Sequence, residues 1–273
     1  MSKGPQRRRQ RADRNRPLSR YATPKTCETQ YEPGSHGTVL LNRLGVCSKR
    51  EMDRLEYDAL LKAQEAYVEI ISAETRFTAE SICEMHRAWL GDIYEWAGQY
   101  RSVDVTKRGF RWPPAVRVAE NMAKFEDGLL DRNTPCQPAD VAAIARRIAE
   151  VHADLLLIHP FREGNGRLAR WLSDLMALQG GLAAPDYGFT GRGSRLRRRL
   201  YLEAVIEGYS ANYEPLTAFF AEALERRLRA LRRITGTAVF SDLPTRRDSA
   251  PSKMDDSRAF CASIFRRRRG LRR

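Results

Sequence analysis

Pro160 separates two apolar helical runs, and the short stretch that follows it constrains this chain more than any other part of its sequence. The run Asp154-Leu155-Leu156-Leu157-Ile158 ends at His159-Pro160, where proline lacks an N–H, fixes φ and disfavours helical geometry in the residue before it. His159 is therefore expected at a helix end. Gly164-Asn165-Gly166 follows, small enough for backbone N–H groups to face a bound anion. From about Arg167 to Gln179 the spacing of Leu168, Trp171, Leu172, Leu175 and Met176 predicts a helix, stopped by Gly180-Gly181. A helix N-terminus beside such a turn is a phosphate site in outline, because unpaired N–H groups and the helix dipole both favour negative charge.

Side chains in the same stretch supply what that site needs. Arg167 and Arg170 are three apart, so they share one face of the first turn and can reach the same anion with planar donor forks. Glu163 offers the one hard oxygen ligand that nucleotide-bound Mg²⁺ takes from a protein, and His159 is a proton acceptor titrating near neutral pH. Taken singly, each has an ordinary reading as a helix-end histidine, a turn, solvated arginines or a surface carboxylate. Their order within the twelve residues 159–170 turns the reading toward chemistry.

Residues 159–170 resemble the signature of the Fic family (Fic/Doc, or Fido, fold), H-x-F-x-[D/E]-G-N-G-R-x-x-R, at every defined position. The resemblance implies a mainly α fold, a Fido-type helical bundle with one β-hairpin flap, like that of short bacterial Fic toxins and effectors. It implies a protein adenylyltransferase that moves AMP from ATP to a hydroxyl side chain of a target protein and releases pyrophosphate. On that resemblance His159 is the general base, Glu163 holds Mg²⁺, and Gly164, Asn165 and Gly166 form the anion hole. Arg167 and Arg170 take the triphosphate, with Arg170 at the γ position, and Phe161 anchors the loop in the core.

One β element is expected. Residues 100–105 and Phe110-Arg111-Trp112 read as strands flanking the turn Thr106-Lys107-Arg108-Gly109, with glycine where positive φ is needed. By itself this is a surface hairpin with a basic turn. It also resembles the Fic flap, which covers the nucleotide and aligns the target segment by strand addition; that places Lys107, Arg108 and Gly109 beside the nucleotide and the modified side chain. The family's inhibitory pattern, [S/T]-x-x-x-E-[G/N], does not occur ahead of the motif. Ser210 to Glu214 has the spacing, but Pro215 follows and Glu214 reads as the start of the last helix. Inhibition is expected in trans, from a small antitoxin-like partner whose glutamate pairs with Arg170.

The remaining helices follow from caps and periodicity. Ser48-Lys49-Arg50-Glu51 reads as a capping box opening a helix with Met52, Leu55, Leu60, Ala63, Tyr67, Ile70 and Ile71 at helical spacing. A second helix begins near Thr78 with Ile82, Met85, Trp89, Leu90, Ile93 and Trp96 on one face. A third opens at Pro113-Pro114 and runs to about Asp131 through Val118, Met122, Phe125 and Leu129. A fourth spans about Pro138 to Ile158, and the last two cover Arg195 to Glu207 and Pro215 to Arg233. His86 and His152 read as structural. Val39-Leu40-Leu41 and Leu44-Gly45-Val46 read as an apolar tie ahead of the first helix.

Charge divides the chain into a basic N-terminal segment (1–20), a Fic-like catalytic domain (21–225) and a C-terminal stretch (226–273) holding the end of the last helix and an Arg-rich tail. Residues 1–20 carry eight Lys/Arg against one Asp and residues 226–273 fifteen against four acids, so the ends hold +18 of a formal +14 and the middle is −4. Residues 1–20 and the tail beyond Arg233 are expected to be disordered. A nucleic-acid-binding domain would show its basic face on the folded part, so contact with nucleic acid or anionic lipid through the tails is expected only as a weak accessory property. The five cysteines form no C-x-x-C pair and no zinc-spaced cluster, and no apolar run reaches membrane-spanning length. With no apolar core behind the N-terminal arginines to make a secretory signal, the expectation is a cytoplasmic protein, with export as an effector left open. Two other readings compete with AMP transfer: a Doc-like protein kinase or another nucleotidyl transfer, and a non-catalytic module that binds nucleic acid or membrane through its basic tails. In Doc-like kinases a lysine replaces the second glycine of the anion hole, and Gly166 stands there in this chain.

Overall fold

The computed structural model describes residues 26–107 and 109–235; Arg108, the basic segment 1–20 and the Arg-rich tail beyond 235 lie outside the described residues. Among the described residues seven helices build one apolar core: α1 (Lys49–Ile70), α2 (Ala79–Leu90), α3 (118–133), α4 (Val141–Ile158), α5 (Asn165–Gln179), α6 (Ser194–Gly208) and α7 (Glu214–Thr235). The fold is mainly α with one antiparallel hairpin, β1 (Thr106–Lys107) and β2 (Phe110–Arg111). Among the described residues no helix is long and apolar enough to cross a membrane.

Helix α4 is the axis of the bundle. Ile144, Ala145, Ile148, Ala149, Val151, Ala153, Leu155, Leu156 and Ile158 are all buried on it, a distribution that leaves no wide polar face and suits only a central helix. It packs against α3, α5, α6 and α7. The Asp140 carboxylate caps its N-terminus by accepting from the Ala143 N–H at 2.7 Å. The motif loop begins where this helix ends, so the most deeply packed element in the chain fixes the site.

Several boundaries differ from the sequence expectations, each for a local reason. At α1 the Ser48 hydroxyl accepts from the Glu51 N–H, which is half of the expected capping box. Thr78 and Ser81 form a complete one at α2. Helix α2 ends at Leu90, so Ile93 and Trp96 are buried from the following turns instead of from the helix. In α3 the last turns widen to a π turn over Glu126–Leu130. The extra residue rotates the helix face, which buries Leu130 and leaves Leu129 only partly covered. That turn also aims Glu126, whose carboxylate accepts from the Ala79 N–H at 2.8 Å and so sits on the positive end of α2.

The hairpin is shorter than the alternating pattern suggested. Residues 100–105 are not strand, and Thr106 and Lys107, expected in the turn, form β1. Gly109 does take the positive φ assigned to it, +83°. In the N-terminal tie, Val39 and Leu40 are buried while Leu44 stays exposed.

Candidate active site

Helix α5 begins at Asn165, two residues earlier than its apolar pattern indicated, so Asn165 and Gly166 are its first residues and Gly164 is its N-cap. Gly164 has φ +89°, and a Cβ there would lie 2.8 Å from the Trp89 ring. Only glycine combines that left-handed backbone with that approach. A helix's first N–H groups have no acceptor within it, and here they belong to Asn165 and Gly166. A Cβ on Gly166 would lie 3.6 Å from the Arg170 guanidinium, so its absence leaves open the space between backbone and cation.

The loop leading into α5 is closed on itself. The Asn165 side chain accepts from the Phe161 N–H at 2.9 Å and donates to the Phe161 carbonyl at 2.7 Å. Both ends of its amide are therefore occupied, and what it can offer an anion is its backbone N–H. Phe161 is fully buried and stacks on His86 with ring centroids 3.9 Å apart. The Gly98 N–H donates to His86 Nδ1 at 2.8 Å, so the proton is on Nε2, which donates to the Glu163 carbonyl at 3.1 Å. Burial pushes His86 down to about 4 and keeps it neutral. Its structural role is thus specific: it holds the loop between the histidine and the glycines.

His159 is the C-cap of α4, in the left-handed region at φ +53°. Its Nδ1 faces the Leu156 carbonyl at 3.2 Å, which places the proton on Nδ1 and leaves Nε2 with a lone pair. Burial lowers its pKa to about 4 against the pull of that carbonyl, with the Arg101 and Lys107 charges adding to the shift. Trp112 covers the imidazole at 4.2 Å between centroids, and its indole N–H donates to the same Leu156 carbonyl at 2.9 Å. Phe110 joins Trp112 to Tyr209, so the end of the hairpin is seated on α6's C-terminus beside the histidine. Lys107 lies on the exposed hairpin and Gly109 in its turn.

Arg101 stitches this region together and had no signal in the sequence. It is 2% exposed and lies among main-chain carbonyls: Nε donates to His159 at 2.7 Å, Nη1 to Val103 at 2.9 Å and Nη2 to Pro113 at 2.6 Å. Its N–H donates to the Pro160 carbonyl at 2.8 Å. One side chain thereby ties the motif histidine to both ends of the hairpin.

The two motif arginines have separate supports. Arg167 Nη1 donates to Glu56 of α1 at 2.6 Å, and its guanidinium lies 4.6 Å from the centre of the Trp89 ring. The Arg170 guanidinium lies 5.8 Å from the centre of the Phe189 ring. Both line one cleft of about 130 Å³ between α1 and α5. Glu163 accepts from the Gly164 N–H at 3.1 Å, lies 3.5 Å from Arg167 and is half exposed. Among the described residues no cluster of three or more His, Cys, Asp or Glu could hold a metal ion alone. A single outward carboxylate suits Mg²⁺ carried in by phosphate oxygens and water.

Residues 76–177 match the model of the Fic/DOC family. Over that stretch the chain is similar to Fic/DOC proteins. It is 27% identical over 186 residues to protein adenylyltransferase VbhT of Bartonella schoenbuchensis, an alignment covering 68% of this chain and 37% of that protein. It is 29% identical over 189 residues to the "Probable protein adenylyltransferase y4lH" of Sinorhizobium fredii, covering 68% and 90%. Among solved structures, the BepC effector of Bartonella tribocorum with bound AMPPNP superposes with a TM-score of 0.58 at 19% identity, over 72% of this chain and 96% of that one. That match carries the Fic fold alone. The chain thus spans little more than a third of VbhT but most of y4lH.

Proposed function

We propose that this chain is a protein adenylyltransferase transferring AMP from ATP to a hydroxyl side chain of another protein. The observation that carries the reading is the fixed tautomer of His159, whose Nδ1–H is committed to Leu156 and whose Nε2 lone pair is left for a proton. His159 Nε2 takes the hydroxyl proton as that oxygen bonds to the α-phosphorus; the bond from the α-phosphorus to the bridging oxygen breaks and pyrophosphate leaves. The backbone N–H groups of Asn165 and Gly166, with Gly164 shaping the turn, face the phosphate oxygens, and Arg167 and Arg170 hold the triphosphate. Glu163 would hold Mg²⁺, which would supply charge neutralisation on those oxygens. Lys107, Arg108 and Gly109 border the nucleotide and the target segment, which lies along the hairpin as an added strand.

Relatives named as protein adenylyltransferases and a structural relative holding AMPPNP support this reading. Gly166 favours it over a kinase-like orientation, because the space beside Arg170 stays open. For regulation, inhibition in trans by a partner's glutamate at Arg170 fits the structure, since Glu214 opens α7 and pairs with Arg146. A toxin or effector role, in the cytoplasm or after export, belongs to the same proposal. Incubation of the chain with lysate and either α-labelled or γ-labelled ATP tests it. Label entering a protein band from the α position alone supports AMP transfer; label from the γ position alone makes the chain a kinase; label from neither sinks the enzymatic reading.

A further inference from the structure

The segment ahead of α1 reaches the site through one residue that the motif does not include. Glu28 sits in a single turn of 3-10 helix, Cys27–Thr29, and is 5% exposed. Its carboxylate accepts from the Ser102 N–H at 2.8 Å, and the Ser102 hydroxyl donates to the same oxygen. Its main-chain carbonyl accepts from Arg162 Nε, in the motif loop, at 2.9 Å. The turn itself is anchored. The Thr29 N–H and hydroxyl both go to the Thr26 carbonyl, at 3.0 and 2.8 Å. Just beyond it Tyr31 and Leu40 form an antiparallel bridge, the Leu41 N–H donates to the Gln30 carbonyl at 2.9 Å, and Val39 and Leu40 are buried.

Arg101 is the residue that Glu28 fixes. The Arg101 N–H donates to the Pro160 carbonyl at 2.8 Å, which sets the peptide plane before its Cα; the next N–H, that of Ser102, goes to Glu28, which sets the plane after it. A residue has only two soft backbone dihedrals. With both planes held, the Arg101 side chain leaves the backbone in one direction, which carries Nε to the His159 carbonyl at 2.7 Å and Nη2 to the Pro113 carbonyl at 2.6 Å. His159 itself stands at φ +53°, a backbone angle that a non-glycine residue keeps where its surroundings over-determine it.

We propose that Glu28 is a positioning residue for His159: its carboxylate holds the 101–102 peptide so that the Arg101 guanidinium meets the histidine's carbonyl. The inference rests on the proposed role of His159 as the base. Two hydrogen bonds, Ser102 to Glu28 at 2.8 Å and Arg101 to His159 at 2.7 Å, are joined by the covalent frame of one residue. What the arrangement needs from Glu28 is an acceptor oxygen at one place, so it depends on the reach of the side chain and not on its charge. The carbonyl contact to Arg162 adds the motif loop to the same anchor, since Arg162 lies between the buried Phe161 and Glu163.

Two substitutions in the full chain separate reach from charge. Glu28→Asp keeps the carboxylate but is shorter by one carbon–carbon bond, about 1.5 Å, and so withdraws it from the Ser102 N–H. Glu28→Gln keeps the length and an acceptor oxygen and removes the charge. The main-chain contact to Arg162 survives in both. The first measurement is an NMR titration of the His159 imidazole. Its midpoint should climb from about 4 toward 6.5 in Glu28→Asp, as the loosened helix end admits water, and stay near 4 in Glu28→Gln. The second is entry of label from α-labelled ATP into lysate protein, well below the melting temperature of each variant. It should fall at least about 10-fold in Glu28→Asp, as loss of a hydrogen bond to a charged group implies, and recover in Glu28→Gln, with calorimetric ATP affinity in the presence of Mg²⁺ close to wild type in both. A His159 midpoint that stays near 4 in Glu28→Asp, or that moves equally in Glu28→Gln, overturns the proposal. If the wild-type chain labels no protein, the adenylyltransferase reading fails instead, and the titration by itself decides whether Glu28 positions His159.

Discussion

Arg167 Nη1 stands 2.6 Å from Glu56 Oε2, which makes a glutamate of the first helix the partner of the first motif arginine. Glu56 is 3% exposed, and its other oxygen accepts from the Tyr94 hydroxyl at 2.7 Å. Replacing Glu56 by alanine strands both donors. Breaking a buried pair costs about 3–5 kcal/mol, and because Arg167 is partly exposed and keeps Trp89 the low end of that range is expected. Urea unfolding of Glu56→Ala measures it, and a loss below about 1 kcal/mol would show that the pair is not what holds α1 against the site.

His159→Ala should lower the rate of transfer by about 10²–10⁴, the usual contribution of a general base, with ATP affinity close to wild type. Since burial sets the His159 pKa at about 4, the imidazole is already neutral at pH 6. The acid limb of kcat/KM for the target protein is accordingly expected near pH 4, not near the ordinary 6.5, within the range where circular dichroism reports an intact fold. A limb at 6.5 would mean that the base is a different, solvated group.

Trp112 lies against the His159 imidazole. Trp112→Ala removes the ring that lies 4.2 Å from the imidazole and one of the donors to Leu156. Water entering that space raises the cost of keeping the histidine neutral in acid. Its pKa should climb from about 4 toward 6.5, as followed by the imidazole resonances in an NMR titration. No movement of the titration midpoint in this variant would assign the shift to the surrounding helices alone.

How much of this was legible beforehand depended on whether the information was local. The end of α4 at His159, the helix starts at Ser48 and near Thr78 and the stop at Gly180 are short-range consequences of proline, hydroxyl and glycine chemistry, and all are found, with half of the capping box read at Ser48. The motif positions are contiguous, so they could be read as one unit. The supports of the site are not contiguous. Glu56 sits in a stripe otherwise read from Met52, Leu60 and Ala63, and nothing in a helical pattern distinguishes a buried, paired glutamate from a solvated one. Arg101 looks like a surface strand residue until its carbonyl partners come from Ile158, His159 and Pro113. The π turn that buries Leu130 in place of Leu129 also lacks a periodic signature, because it is a departure from the period.

Acid should unfold the chain sooner than its carboxylates alone would. His86, His152 and His159 are pushed down to about 4, 3 and 4 by burial, whereas in the unfolded chain they titrate near 6.5. Below 6.5 the unfolded state therefore binds more protons, and stability falls as pH drops from about 6.5 through 4. Each such histidine contributes a slope of up to about 1.4 kcal/mol per pH unit. Asp154 works the other way, since burial raises its pKa, but it is one group against three. Urea midpoints measured from pH 7 to 4.5 should decline steadily; a flat profile would mean that the unfolded chain keeps these histidines buried.

Two glycines with nearly equal backbone angles separate strain from steric fit. Gly109 in the hairpin turn has φ +83° and open space where a Cβ would project, whereas Gly164 has φ +89° and the Trp89 ring 2.8 Å away. Gly109→Ala should therefore lose only the left-handed penalty, about 1–2 kcal/mol. Gly164→Ala adds an overlap with a buried indole that also packs against Arg167, and overpacking of that kind costs a further 1–3 kcal/mol or so. The consequences for the site differ in the same order. Moving Gly164 displaces the first N–H groups of α5, so ATP binding should weaken in Gly164→Ala beyond what its stability loss explains, and by more than in Gly109→Ala, which leaves those N–H groups in place. Equal losses of stability in the two variants would show that Trp89 yields freely and that the glycine is required there for its backbone angle only.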